Sequence, residues 1–118
     1  MAESTIVAVA GARFEDLDIE GQVLDATGAV LTRTPATAGD ELVAGCAGAA
    51  VVLAAAHARF TRQVIARLPA LRAIVRYGIG VDSIDLAAAS DHGIMVCNVP
   101  DFGTEEVALH AVALTLAL

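Results

Sequence analysis

The sequence contains no tryptophan and no lysine, a single tyrosine, and no arginine after Arg76. Aromatic residues make up only 3% of it, so the 57% that are hydrophobic are mostly alanine, valine, leucine and isoleucine. This composition is typical of helices packed on a buried parallel sheet. The net charge of −7 argues against nucleic acid or an anionic membrane as a partner, because both are recognised by basic surfaces.

Cysteine is also scarce. Cys46 and Cys97 lie far apart, without a second cysteine or a histidine at metal-ligand spacing, which predicts two buried apolar thiols and no metal site. The longest nearly uncharged stretch, residues 42–56, is shorter than the roughly 18 residues of a membrane span. Glu3 precedes the first apolar run without a basic lead-in, which argues against a secretory signal. We expect one cytoplasmic domain.

Five short apolar runs alternate with segments of helical pattern. The predicted strands are residues 4–11, 29–33, 49–56, 71–78 and 94–100. The predicted helices are residues 17–27, 41–47, 61–68, 82 or 83 to 89, and 104 onward. Strands alternating with helices predict an α/β fold, here a flavodoxin-like, doubly wound sheet of five parallel strands with helices on both faces.

The ends of these helices have their own signals. Asp40, either Asp82 or Ser83, and Thr104 are candidate N-terminal caps, because short polar side chains accept bonds from free N–H groups. Gly28 is suited to the left-handed position that ends a helix. Pro69 and Gly93 are predicted to end the helices before them. Glu105 and Glu106 follow Thr104 in the first turn of the last predicted helix, where acids are favoured.

A glycine-containing loop, RYGIGVDS, follows the fourth predicted strand. Gly78 and Gly80 have the spacing that begins a dinucleotide fingerprint, but the third position is Ser83, and Asp82 would repel a pyrophosphate. Ligands of open α/β sheets bind beyond the carboxyl ends of the strands. Two glycines there allow N–H groups to converge on a carboxylate or phosphate. From these residues alone the loop is either such an anion site or, more commonly, a tight strand-to-helix turn.

From Leu71 onward the sequence resembles the substrate-binding domain of the D-isomer-specific 2-hydroxyacid dehydrogenases, the family of phosphoglycerate and formate dehydrogenases. The resemblance is carried by the RYGIGVDSID loop, the alanine-rich helix, the GIMVCNVP strand and the GTEEVALHAVALTLAL helix, all in family order. The earlier part matches only in its pattern of elements. The resemblance implies that residues 1–103 form the substrate-binding domain and that residues 104–118 begin a truncated interdomain helix.

The resemblance also implies a function and a set of site residues. The function is that of the substrate-binding half of an NAD-dependent oxidoreductase, which acts on the CH–OH group of D-2-hydroxy acids or reduces 2-keto acids. In the family, the backbone N–H groups of the glycine loop hold the acid's carboxylate, and the loop after the third strand lines the cleft. The implied substrate-binding residues are Tyr77, Gly78, Ile79, Gly80, His57 and Arg59.

Other positions have weaker implications. Thr104 and Val107 would lie beside the nicotinamide, Asn98 would hold the loop, and His110, with no group nearby in sequence to orient it as a base, is interpreted as structural. Two residues differ from those usual in the family. Residue 83 is serine where asparagine is usual. Residue 55 is alanine where phosphoglycerate-type members have arginine, which weakens the case for that substrate.

The family's Rossmann domain, with its G-x-G-x-x-G fingerprint and its catalytic arginine, glutamate and histidine, has no counterpart in this sequence. We therefore expect no catalytic residue here, NAD or NADP bound mainly by the absent domain, and a fragment inactive alone. The sequence ends at Leu118 inside an uncapped apolar helix, which predicts that the isolated chain self-associates through this helix or that the helix frays.

Two alternatives belong to other functional classes. A non-catalytic module that senses acids or binds proteins could use the same fold, because fold does not determine function. A flavin-binding or phospho-receiver domain is disfavoured, because the GARFED segment after the first strand lacks a hydroxyl-rich phosphate loop.

Overall fold

The computed structural model describes residues 4–118. The argument from Glu3 against a secretory signal therefore lies outside the described residues. The strands are β1 (Ile6–Ala10), β2 (Val30–Thr34), β3 (Val51–Ala54), β4 (Ala73–Arg76) and β5 (Met95–Cys97). The helices are α1 (Asp18–Asp25), α2 (Gly39–Gly45), α3 (Arg62–Ile65), α4 (Leu86–Asp91) and α5 (Thr104–Leu116). None of these helices is both long and apolar enough to cross a lipid bilayer.

The five strands form one parallel sheet in the order β2-β1-β3-β4-β5, which confirms the predicted flavodoxin-like fold. Right-handed crossovers place α1 on one face, because the step from β1 to β2 runs opposite to all later steps, and α2, α3 and α4 on the other. On that second face Ala8, Val52 and Ile74 lie side by side in register. Leu42 and Ile65 cover them, so the main core lies between the sheet and these three helices.

The sheet face on which α1 lies is covered less completely than the other. None of the side chains of α1 is buried, and Met95 on β5 is 65% exposed. The two cysteines differ accordingly. Cys46, at the end of α2, is buried in the main core as predicted, whereas Cys97 on the edge strand β5 is only half-buried, so its predicted burial was wrong.

The cap of α4 differs from the prediction. Asp85, not Asp82 or Ser83, precedes the helix, and its Oδ1 accepts a 2.8 Å hydrogen bond from Ala88 N–H. The reason is a contact distant in sequence. Residues 82 and 83 form a turn, and Ile84 then pairs with Phe60 in an isolated parallel bridge, so the helix begins only after Asp85.

Two other predicted caps were wrong. Asp40 lies inside the first turn of α2, which follows Ala38 without a side-chain cap. Thr104 is the first residue of α5, and the cap position is Gly103 with φ +70°, a left-handed conformation that favours glycine. Gly28 and Gly93 have φ values of +69° and +66°, which confirms the predicted helix ends.

Candidate functional site: the loop after β4

The glycine loop, residues 77–80, leaves the carboxyl end of β4 through a conformation that requires glycine. Gly78 has φ +132°, which L side chains rarely adopt. Its N–H donates a 2.9 Å bond to the Arg76 carbonyl, so this amide is already engaged. The N–H groups of Ile79 and Gly80 have no hydrogen-bond partner among the described residues. These two are the donors that the loop offers to a ligand.

The segment after β5 fixes the direction of both donors. Val99 N–H donates to the Gly78 carbonyl, and Asn98 Nδ2 donates to the Ile79 carbonyl, each at 2.9 Å. Each carbonyl shares a peptide plane with the N–H of the next residue, and both peptides are trans. The N–H of a trans peptide points opposite to its carbonyl. The N–H groups of Ile79 and Gly80 therefore point away from the β5 side.

An open polar cavity of about 340 Å³ borders the loop at Gly80. Its walls come from the loops after β3 and β4, and they bring the predicted residues His57 and Arg59 together with Gly80. The lining residues are Ala56, His57, Arg59, Arg76, Gly80, Asp82 and Ser83. The lining thus contains two arginines and one histidine against a single aspartate, a composition suited to a small anion.

Arg76 is a site residue that the sequence interpretation missed, since its position at the end of a strand indicates only a sheet residue. One of its Nη atoms donates to the Tyr77 carbonyl, while its buried Nε has no partner in the described part of the chain. The buried Ser83 Oγ also lacks a partner there, and both residues line the polar cavity. Buried polar atoms are normally hydrogen-bonded, so this pair indicates a place for ligand or water atoms.

The side chain of Tyr77 does not line the polar cavity. Its hydroxyl donates a 2.6 Å hydrogen bond to Glu20 Oε1 on α1, and its ring contacts Phe14. Burial, followed by the bond to Glu20, raises the pKa of Tyr77 far above its ordinary value. Tyr77 therefore remains neutral at physiological pH, and its side chain supports the loop from the side of α1.

The two positions proposed beside a nicotinamide lie on α5. The hydroxyl of Thr104 donates to the Asp101 carbonyl at 3.3 Å, and the side chain of Val107 is 70% exposed. Glu105 and Glu106 occupy the first turn of the same helix, where their carboxylates would repel phosphate. The described residues contain no G-x-G-x-x-G sequence, the fingerprint that holds the pyrophosphate of a dinucleotide. They also contain no cluster of side chains that could hold a metal ion.

Fold and loop together define an α/β domain with a glycine loop at the carboxyl end of β4, where two N–H groups have no partner among the described residues. Residues 6–116 match the family described as D-isomer specific 2-hydroxyacid dehydrogenase, catalytic domain. The chain belongs to this family. It is 36% identical over 96 residues to D-3-phosphoglycerate dehydrogenase of Methanocaldococcus jannaschii, a match that covers 81% of this chain and 18% of that protein.

Solved structures agree with this assignment. The TT0316 protein from Thermus thermophilus has a TM-score of 0.81 and 30% identity, over 96% of this chain and 36% of that one. D-lactate dehydrogenase from Aquifex aeolicus, complexed with NAD and lactic acid, has a TM-score of 0.81 over 95% of this chain and 33% of its own. Its 23% identity shows a shared fold. The chain thus spans less than a fifth of the curated relative and about a third of these structures.

Proposed function

We propose that this chain is the substrate-binding half of an NAD-dependent oxidoreductase that acts on the CH–OH group of D-2-hydroxy acids, or reduces the corresponding 2-keto acids. In this proposal residues 1–103 form the substrate-binding domain, and residues 104–118 begin a connecting helix. One observation carries it: the N–H groups of Ile79 and Gly80 lack partners among the described residues and point away from the segment that holds the loop.

The role proposed for the loop is to bind the carboxylate of the acid. A carboxylate accepts charge-assisted hydrogen bonds from backbone N–H groups and from guanidinium groups, which are stronger than neutral ones. Arg59 and Arg76 border the cavity next to Gly80 and supply positive charge. His57 completes the wall, where its imidazole would face the 2-oxygen of the acid. No catalytic role is assigned to any residue of this chain.

NAD or NADP is the proposed cofactor, and hydride transfer is the chemistry that it supplies when bound. The support is membership of the family and the related lactate dehydrogenase, whose structure contains NAD. Because the described residues lack the G-x-G-x-x-G fingerprint, most of the cofactor would be held outside this chain. Thr104 and Val107 would then lie beside the nicotinamide ring.

The proposal also includes self-association through α5. No side chain of this helix is buried, and its apolar residues are exposed by more than half on every side: Val107, Leu109, Val112, Leu114 and Leu116. Exposed apolar surface of this kind favours association. Sedimentation equilibrium should therefore detect a dimer or larger species that Val112→Glu weakens, while Val23→Glu on exposed α1 leaves it intact. A monomer at high concentration would contradict this part.

The test of the clamp is a titration of ¹⁵N-labelled protein with pyruvate and D-lactate, followed by NMR. We expect the amide signals of Ile79 and Gly80 to shift more than those of β1 or β2, because only the loop amides would meet the carboxylate. Gly80→Val should abolish these shifts by placing a branched side chain next to the donors. Gly21→Ala is the matched control, because a Cβ at residue 21 meets nothing within 4 Å.

Two results would decide against the clamp. The first is a folded wild-type protein whose loop amides do not respond to any acid. The second is equal binding by wild type and a Gly80→Val variant that keeps its sheet. Gly80 does not have the left-handed φ of Gly78, and a Cβ at residue 80 has only ordinary contacts with Asp82 at 3.7 Å or more. The sheet is therefore expected to survive this substitution.

A further inference from the structure

Part of one sheet face is left open in this protein. Helix α1 contacts β2, at the far edge of the sheet from β5. On the same face, β3, β4 and β5 present six apolar side chains, none of which is buried, although Val52 and Ile74 on the opposite face of β3 and β4 are fully buried. These six residues, here called the open face, form two rows in register, with Val51, Ala73 and Met95 in one row and Leu53, Val75 and Cys97 in the other.

Helix α5 is a second uncovered apolar surface. It contacts no other described helix or strand, and none of its side chains is buried. A helix that is apolar on every side is normally enclosed by packed structure. The segment before it is fixed, because Asn98 and Val99 bond to the glycine loop and Gly103 has φ +70°. In this arrangement α5 leaves the open face of its own sheet uncovered.

We infer that the open face of one copy receives α5 of a second copy, and that the exchange is reciprocal, so that two copies form a swapped dimer. Exchange of one element between identical copies is a low-cost route to a dimer. The inference rests on the self-association that the proposed function includes, and it names the surface that receives the helix. Binding of an acid by the glycine loop does not depend on it.

The exposed area of the chain is large enough for such a dimer. The chain has a mass of 12.0 kDa and exposes 7792 Å², whereas a compact monomer of that mass exposes about 6,000 Å². The excess of roughly 1,800 Å² per copy is more than the about 800 Å² that each partner buries in a standard stable interface. Burial of α5 and the open face can therefore cover the area that a stable dimer needs.

Size and charge also favour this occupant. The outer strands of the open face lie about 10 Å apart, since neighbouring strands are separated by about 4.8 Å. One helix, with a diameter of about 10–12 Å, covers this width. The open face has no charged residue, and α5 has no carboxylate after Glu106. The contact therefore brings no like charges together, although each copy has a net charge of −7.

Pairing of two α5 helices with each other is the competing arrangement. It would bury one side of each helix but leave both open faces in water. Reciprocal docking removes the open face and one side of α5 from water together, so the apolar area buried is larger. The two arrangements also respond differently to a change on β5, because β5 takes no part in a helix pair.

Sedimentation equilibrium of charge variants tests the receiving surface. Met95→Arg places an unpaired charge on the open face, so the dissociation constant of the dimer should rise by at least about tenfold. Leu86→Arg is the matched control, because Leu86 is 50% exposed on α4, on the opposite face of the sheet. This control should dimerise as the wild type does. Circular dichroism checks that each variant is folded.

A mixture of two variants makes the test specific to the exchange. Val112→Glu should also weaken the dimer, because it places a carboxylate on α5. When Met95→Arg pairs with Val112→Glu, one of the two contacts has wild-type residues on both sides. The other contact brings the new arginine and the new glutamate into one interface. An equimolar mixture should therefore dimerise more tightly than either variant alone.

Three results would overturn the inference. If Met95→Arg dimerises as well as the wild type, the open face does not receive α5, and self-association through α5 stands. If the mixture dimerises no more tightly than either variant, the contact is not exchanged between copies. A monomeric wild type overturns both the inference and the self-association, and NMR contacts between Met95 and Val112 in that monomer would place α5 on its own sheet. The acid titration of the loop amides tests the rest of the proposed function separately.

Discussion

Gly45, the last residue of α2, lies directly against the buried side chain of Thr34 at the end of β2. A Cβ atom added at Gly45 would overlap the Thr34 side chain. The contact brings α2 onto the sheet beside the core residue Leu42. Residue 45 must therefore be glycine because a larger side chain does not fit there. Its backbone conformation does not require glycine.

Gly45→Ala should therefore lower the free energy of unfolding by about 1–3 kcal/mol, the usual cost of overpacking a core. Urea denaturation followed by circular dichroism measures the change. Gly21→Ala is the control, because residue 21 lies in a helix with open space around it. That variant should be stabilised by roughly 0.5–1 kcal/mol, since alanine has the higher helix propensity. Equal effects of the two substitutions would contradict the packing argument.

The cap of α4 leads to a second prediction. Asp85→Ala should cost about 0.5–2 kcal/mol, because Ala88 N–H loses its acceptor. Asp82→Ala should cost much less, since the Asp82 side chain is exposed and does not cap the helix. Urea midpoints of the two variants, with Asp85→Asn as the conservative substitution, measure the difference. A larger loss of stability in Asp82→Ala than in Asp85→Ala would favour Asp82, one of the two caps predicted from the sequence.

The alternation of apolar runs and helical segments was enough to predict the flavodoxin-like sheet of five parallel strands, because right-handed crossovers leave few arrangements of such strands. The boundaries were predicted less well. The fifth strand was expected to reach residue 100 but ends at Cys97. Beyond it, Asn98 and Val99 turn their donors toward the glycine loop. These two hydrogen bonds, like the bridge of Phe60 to Ile84, join segments far apart in the chain. Such contacts produce no hydrophobic periodicity in the sequence from which they could be predicted.

The candidate site, like the fold, was predicted only in part from the sequence. The glycine loop was predicted as a ligand site from its residues and the family resemblance, and His57 and Arg59 line the cavity beside Gly80. The local sequence could not show that Gly78 N–H bonds to the Arg76 carbonyl. Tertiary packing also determines that the buried Nε of Arg76 has no partner among the described residues. Contacts of this kind follow from the folded arrangement of the strand ends.

The thiol of Cys46 leads to a third prediction, about alkaline pH. Burial raises the pKa of Cys46 from its ordinary 9.0 to about 11. Between these values the unfolded chain loses a proton that the folded chain keeps, so stability falls as pH rises. The contribution is fully present below about pH 9, and the slope above it should approach about 1.4 kcal/mol per pH unit. Urea unfolding between pH 8 and 10 measures it.

Variants separate this thiol from other groups. Cys46→Ala should lower stability at neutral pH through the cavity that it leaves, but it should flatten the decline above pH 9. Cys97→Ala should keep the decline. Titration of Tyr77 would begin to contribute above its ordinary pKa of 10.0, so the window ends there. An unchanged slope in Cys46→Ala would show that another group causes the loss.

Asn98 gives the most direct functional prediction, because its Nδ2 holds the carbonyl whose peptide carries the Gly80 donor. Asn98→Ala removes one hydrogen bond on an exposed residue, typically worth about 0.5–1.5 kcal/mol. If that bond orients the peptide for the ligand, the affinity for pyruvate should fall by roughly 2–10-fold, while thermal stability changes little. Calorimetric titration of pyruvate measures the affinity, and Ser90→Ala, at an exposed position of α4, is the control. An affinity equal to that of wild type would mean that Val99 N–H alone fixes the loop, and the second donor would need no support from Asn98.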